Sequence, residues 1–193
     1  MWIPEESMDT FYYGGYYSMK ITDDLLFVVL NCLYEDDNNI LDRKTPDPGH
    51  QNAWVKSVLK KAYDNKQKVW IIGHIYPGAG ESTDTFTNLM INLTRTYPDT
   101  ITNQFFGHSH KDEFKLYRSE KNEFISHLYI SPSLMPDEHN PGFRIYKFDK
   151  DTYEILDYDQ YYISLEELND GRQVDFKKIY SCNEYYNMKD QST

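Results

Sequence analysis

Six apolar residues in a row, Leu25-Leu26-Phe27-Val28-Val29-Leu30, are followed some forty positions later by Val69-Trp70-Ile71-Ile72. Between them Trp54, Val58, Leu59 and Ala62 recur at helical spacing, while Lys56, Lys60 and Lys61 fall on other faces. An uninterrupted apolar run rich in β-favouring residues is a strand covered on both faces. A 3.6-residue period with lysines opposite is an amphipathic helix, here Gln51 to Asp64. Strand, helix and strand in that order make a βαβ unit, which implies parallel strands joined by a right-handed crossover and places the chain in the α/β class.

Each following strand ends on a glycine and a histidine. Ile71-Ile72-Gly73-His74-Ile75-Tyr76-Pro77-Gly78 closes one, and Ile101 to Phe106 leads into Gly107-His108-Ser109-His110. Between the two motifs Ser82 or Thr83 is placed to cap a second helix, with Phe86, Leu89, Met90, Leu93 and Tyr97 on one side. Ligands of open α/β sheets bind beyond the carboxyl ends of the strands. A glycine before each histidine is expected to let the backbone turn and aim the imidazole across that mouth. Neutral imidazole is a common ligand of zinc and similar ions, so His74, His108 and His110 are candidate metal ligands. Three imidazoles suit a single catalytic zinc with one open position, or part of a two-metal site that also needs a bridging carboxylate. His50 and His127 are expected to be structural or surface residues, and the loop bearing His139 could line the same mouth.

The remaining chain reads differently. The first twenty residues, with Gly14-Gly15 between aromatic pairs, are expected to be a loop or short extended segment. Tyr34 to His50, acidic and containing Pro46-Asp47-Pro48-Gly49, is expected to be a long surface loop. Glu113 to Arg118, Phe124 to Ile130, Phe143 to Phe148 and Tyr153 to Ile163 alternate as strands without helices between them, which predicts an antiparallel meander. Arg172 to Met188 is expected to be a final helix. Cys32, in an expected strand, and Cys182, in that helix, form neither a CxxC nor a disulfide framework.

The chain resembles the acid sphingomyelinase and acid sphingomyelinase-like phosphodiesterases, within the calcineurin-like metallophosphoesterases. The resemblance runs through Trp2-Ile3-Pro4, Gly14 to Tyr17, Leu30-Asn31, Ile71 to Gly78, Gln104 to His110 with Asp112-Glu113-Phe114, Ser131-Pro132-Ser133, Asn140 to Arg144 and Leu156 to Tyr162. It implies the C-terminal part of an α/β/β/α sandwich with mixed sheets over residues 1–165, and the start of a C-terminal helical region over 166–193. It further implies hydrolysis of phosphodiester bonds at a two-zinc centre, with His74 and His108 on one ion and His110 on the other. Sphingomyelin-like phospholipid headgroups or nucleotide-type phosphodiesters are the implied substrates. The family's Asp-x-His, Gly-Asp and Gly-Asn-His segments do not stand ahead of the histidine motifs here, and Tyr76 replaces the commoner proline. On that basis the chain is expected to supply the histidine half of the site and to be weakly active or inactive alone. The competing expectation is a non-catalytic binding or regulatory module.

The 193 residues include 31 acidic and 20 basic side chains, a formal net charge of −11. Such a surface repels phosphate backbones, so polymeric nucleic acid is excluded as the expected partner. No stretch approaches the roughly 18 apolar residues of a membrane-spanning helix, and Met-Trp-Ile-Pro-Glu-Glu does not read as a signal peptide. Asn92-Leu93-Thr94 is a glycosylation sequon on the outer side of the second helix. Together with the family resemblance it implies a secreted or lysosomal setting.

Overall fold

A computed structural model describes residues 3–40, 45–136 and 139–189. Trp2, the centre of the expected surface loop (41–44), Asp137, Glu138 and 190–193 lie outside the described residues. By contacts the chain divides into two units, one of residues up to His108 with Phe114–Tyr129, the other of Ser109–Glu113 with the chain from Ile130 onward.

The first unit begins with α1 (Met8–Gly14) and β1 (Tyr17–Lys20), where a loop or short extended segment was expected; β1 is that extended segment and α1 is a helix in place of the loop. The Gly14-Gly15 pair is a helix stop rather than loop filler: Gly15 takes the left-handed conformation at φ 71° and its N–H donates to the Phe11 carbonyl. β2 (Leu25–Val29), α2 (Gln51–Asp64) and β3 (Lys68–Ile72) follow, with β2 and β3 parallel in the register Leu25 to Lys68 through Val29 to Ile72. The βαβ reading holds. Cys32 lies in a short 3-10 turn (Cys32–Glu35) past β2 rather than in a strand. α3 (Asp84–Thr96) is capped by Thr83, whose hydroxyl oxygen accepts from the Phe86 N–H. β4 (Ile101–Phe106) then pairs parallel to β3.

β5 (Glu113–Arg118) and β6 (Phe124–Ile130) extend the same sheet, whose order is β1-β2-β3-β4-β6-β5. They were expected to belong to the meander, but they add to the sheet beside β4. β1 is antiparallel to β2, so the sheet is mixed. Its core includes Val28, Leu59, Val69, Ile71, Met90 and Leu128, all fully buried. Burial of each large aliphatic side chain contributes about 1.5–3 kcal/mol, and the pattern of these residues fixes which face of each element turns inward.

The second unit carries the antiparallel meander: β7 (Gly142–Phe148), β8 (Ile155–Tyr162) and, after α4 (Leu165–Asn169), β9 (Lys177–Ser181), with α5 (Cys182–Tyr185) at its end. β8 pairs antiparallel with both neighbours. The expected helix from Arg172 to Met188 is therefore corrected to a strand and a one-turn helix. Tyr180 supplies a reason, because in the extended form it meets the Tyr158 ring from β8 at 6.1 Å and donates to Asp112 at 2.6 Å. Tertiary partners outweigh the weak local preference.

Candidate metal centre and the turn bearing His110

Past Ile72 and Phe106 the ladder between β3 and β4 continues: Gly73 N–H donates to the Phe105 carbonyl and Gly107 N–H to the His74 carbonyl, both at 3.0 Å. This sets His74 beside His108, with ring centroids 5.4 Å apart and planes at 82°. The glycines act differently from the expectation. Neither has a positive φ; His108 and His110 do, at 77° and 59°. A left-handed conformation at a residue with a side chain costs of order 1 kcal/mol or more and gathers at functional sites. Gly73 is required by close approach, since a Cβ there would lie 2.7 Å from the Phe106 ring and 2.8 Å from Cys32 Sγ.

Three further groups surround the pair. The His74 N–H donates to Cys32 Sγ at 3.2 Å, and burial pushes that thiol up to about 11. His108 Nε2 lies 3.0 Å from Glu81 Oε2, and this hydrogen bond holds the Glu81 carboxyl below its usual range. A carboxylate on one ring nitrogen fixes the orientation of the imidazole and raises the basicity of the other, which is how protein metal sites commonly hold their histidines. The Tyr76 ring stands 6.5 Å from that of His108, with Lys115 Nζ 5.5 Å above Tyr76. Glu81 and Cys32 had no periodic or motif signal in the sequence; Glu81 is one acid in a polar turn seven positions after His74.

His110 belongs to the second unit, in the turn Ser109–Glu113. It lines a cavity of about 380 Å³ together with Lys111, Asp112, His139, Asn140 and Tyr162. That turn is held by Arg144 from β7, whose side chain is fully buried. Arg144 donates through Nη2 to Asp112 and to the Glu113 carbonyl, through Nε to Gln160 at 2.9 Å, and its guanidinium lies 4.5 Å from the Tyr158 ring centre. Burial alone would favour the neutral form, but Tyr146, Tyr158 and Asp112 outweigh it and keep Arg144 charged.

Two further histidines lie apart from both sets of residues. His50 stacks on Tyr13 at 6.3 Å, and His127 meets Tyr129 edge-on at 4.9 Å, its imidazole pKa lowered by burial. Asn92 is exposed on α3, whereas Thr94 of the same triplet is buried, donating to the Met90 carbonyl and accepting from Gln104. Cys32 and Cys182 are buried and not joined in a disulfide. Among the described residues no three His, Cys, Asp or Glu side chains converge as a metal cage. The imidazoles thus fit a metal in kind, as neutral nitrogen donors with a carboxylate behind one of them, and supply only part of a coordination shell.

The α/β sheet thus presents imidazoles past two adjacent parallel strands, at the end where ligands of such sheets bind. Residues 123–193 match the profile of the acid sphingomyelin phosphodiesterase C-terminal region. The chain is 31% identical to the cyclic GMP-AMP phosphodiesterase SMPDL3A of Homo sapiens over 98% of its length and 45% of that protein's. It is 33% identical to sphingomyelin phosphodiesterase A of Dictyostelium discoideum, over 99% of this chain and 34% of that one. The chain is thus a relative of the acid sphingomyelinase and acid sphingomyelinase-like phosphodiesterases, matching their C-terminal part, and it spans less than half the length of these two proteins. A dimetal phosphatase of Danio rerio aligns at a TM-score of 0.42 and 11% identity, over 76% of this chain and 54% of that one. That likeness is too slight to decide anything here.

Proposed function

We propose that the chain contributes the histidine part of a metal-dependent phosphodiesterase site. His74 and His108 would hold one zinc and His110 a second. The observation that carries this reading is the juxtaposition of His74 and His108 at adjacent strand ends, in a chain whose relatives are named phosphodiesterases. When bound, such ions supply positive charge to phosphate oxygens and lower the pKa of water. The chain's own residues do the rest of what is proposed: Glu81 orients the His108 ring, the Cys32 thiol anchors the His74 backbone, and Tyr76 with Lys115 offers a face for the substrate. Small phosphodiesters, including phospholipid headgroups and nucleotide-type substrates, are the proposed substrates. A secreted or lysosomal setting, with a glycan at Asn92, accords with the exposure of that side chain.

Neutral imidazoles do not offset the charge of two cations, and no carboxylate bridge is present among the described residues. The 193 residues alone are therefore expected to bind zinc weakly and to hydrolyse phosphodiesters slowly. Zinc titration followed by calorimetry, beside turnover of bis(p-nitrophenyl) phosphate, tests this. His74→Ala and His108→Ala should each abolish binding of the ion assigned to that pair, and Glu81→Gln should weaken it by about tenfold, as loss of a carboxylate behind a ligand does. Zinc binding that survives His74→Ala, His108→Ala and His110→Ala together would overturn the assignment, and robust zinc-dependent turnover by this chain would overturn its partial character.

A further inference from the structure

We infer that Arg144 is the positioning residue of His110: its buried guanidinium holds the turn Ser109–Glu113 in the strained form that presents that imidazole. The inference rests on the reading of His110 as a functional ligand, but its structural content stands apart from any metal.

The turn needs an external hold. His110 sits at φ 59°, and within the turn the side-chain contacts are weak, Ser109 Oγ donating to Glu113 Oε2 at 3.3 Å and accepting from Lys111 N–H at 3.4 Å. Two hydrogen bonds near the outer limit of the range do little to offset a left-handed residue. Arg144 supplies what the turn lacks. Its Nη2 reaches both Asp112 Oδ1 and the Glu113 carbonyl at 3.2 Å, gripping side chain and backbone of consecutive residues just past His110. The other Asp112 oxygen accepts from Tyr180 at 2.6 Å, so β7 and β9 hold the same carboxylate.

The guanidinium is itself immobilised. Gln160 Oε1 accepts from Nε, while the Gln160 Nε2 is committed to the Phe143 and Tyr161 carbonyls at 3.1 and 2.9 Å. The Tyr158 ring lies under its face and the Tyr146 hydroxyl meets Nη1 at 3.4 Å. A planar donor fork with several directions satisfied has one orientation; an ammonium on a flexible stem would not reproduce it. Arg144 touches no reacting atom, and its effect passes through Asp112 and Glu113.

The test is nitrogen-15 NMR of the histidine rings in the full chain with chelator present, for wild type, Arg144→Lys, Arg144→Met and Tyr180→Phe. Arg144→Met should shift or broaden the His110 ring signals while those of His74 and His108 stay in place. Arg144→Lys should rescue little, and Tyr180→Phe should give a smaller change in the same direction. If Arg144→Met does not fold, Tyr180→Phe and Asp112→Asn carry the test, with His110 again the ring that moves. Cobalt binding followed by its absorption spectrum forms the second arm, with affinity falling roughly tenfold or more in Arg144→Met. Unchanged His110 signals in the folded variants would overturn the inference. Altered His110 signals with cobalt affinity as in wild type would instead sustain the positioning role and remove His110 from the metal site.

Discussion

His74 and His108 are carried to their places by the backbone ladder of a sheet whose core is hydrocarbon, whereas the turn with His110 hangs on one buried cation. In the first case the stabilising energy is spread over many apolar contacts, and the loss of any one leaves the strand ends where they were. In the second it is concentrated in Arg144, Asp112, Gln160 and Tyr180, a network that is strong when complete and costly when one member is removed. Distributed packing tolerates change; a polar hub specifies one arrangement and fails as a unit.

That contrast can be broken by measurement. Arg144→Met should have the largest effect, about 3–5 kcal/mol in chemical denaturation, because it strips charge-assisted donors from the buried Gln160 side chain and from the Glu113 carbonyl as well as from Asp112. Leu59→Ala, deep against the six-stranded sheet, should cost about 3 kcal/mol from lost burial and the cavity left behind. If the order of these two is reversed, the hub is less concentrated than the geometry indicates. Thr83→Ala should cost about 1 kcal/mol through loss of the α3 cap. It also removes the donor to Oε2 of the buried Glu35 at 3.1 Å.

The smallest effect sharpens the comparison through pH. Burial lowers the His127 pKa in the folded state below its ordinary 6.5, so the unfolded chain binds the extra proton first. Its contribution is present above that value and is lost as pH falls through the folded pKa. His127→Phe should flatten the stability profile across that window, with melting temperature between pH 7 and pH 5 as the readout; an unchanged slope would assign the acid sensitivity to other groups.

Where periodicity and burial coincide, the elements were legible in the sequence: α2, β3, β4, β5 and β6 fall at or within one residue of the expected limits. The failures have separate causes. Gly15 acts as a left-handed helix stop, a role that looks like a loop when only the residue type is seen. β9 owes its extended form to partners from β8 and to Asp112, which no local window contains. At the candidate site the pairing of His74 with His108 was readable, because adjacent parallel strands must bring their ends together. Glu81 and Arg144 were not, since a polar contact formed over 27 or 32 residues leaves no pattern in either segment. The resemblance to the phosphodiesterases named His110 without indicating what holds its turn.

Cys32 offers a way to watch the first of these regions move. Its thiol is 4% exposed, protonated at neutral pH and engaged by the His74 N–H. An alkylating reagent can therefore capture it only during excursions that part the 3-10 turn from the end of β3. In a Cys182→Ser background, the labelling rate becomes a clock for those excursions. Ligands that clamp His74 should slow that clock, so a simple thiol assay would report occupancy of the strand ends without any turnover being observed.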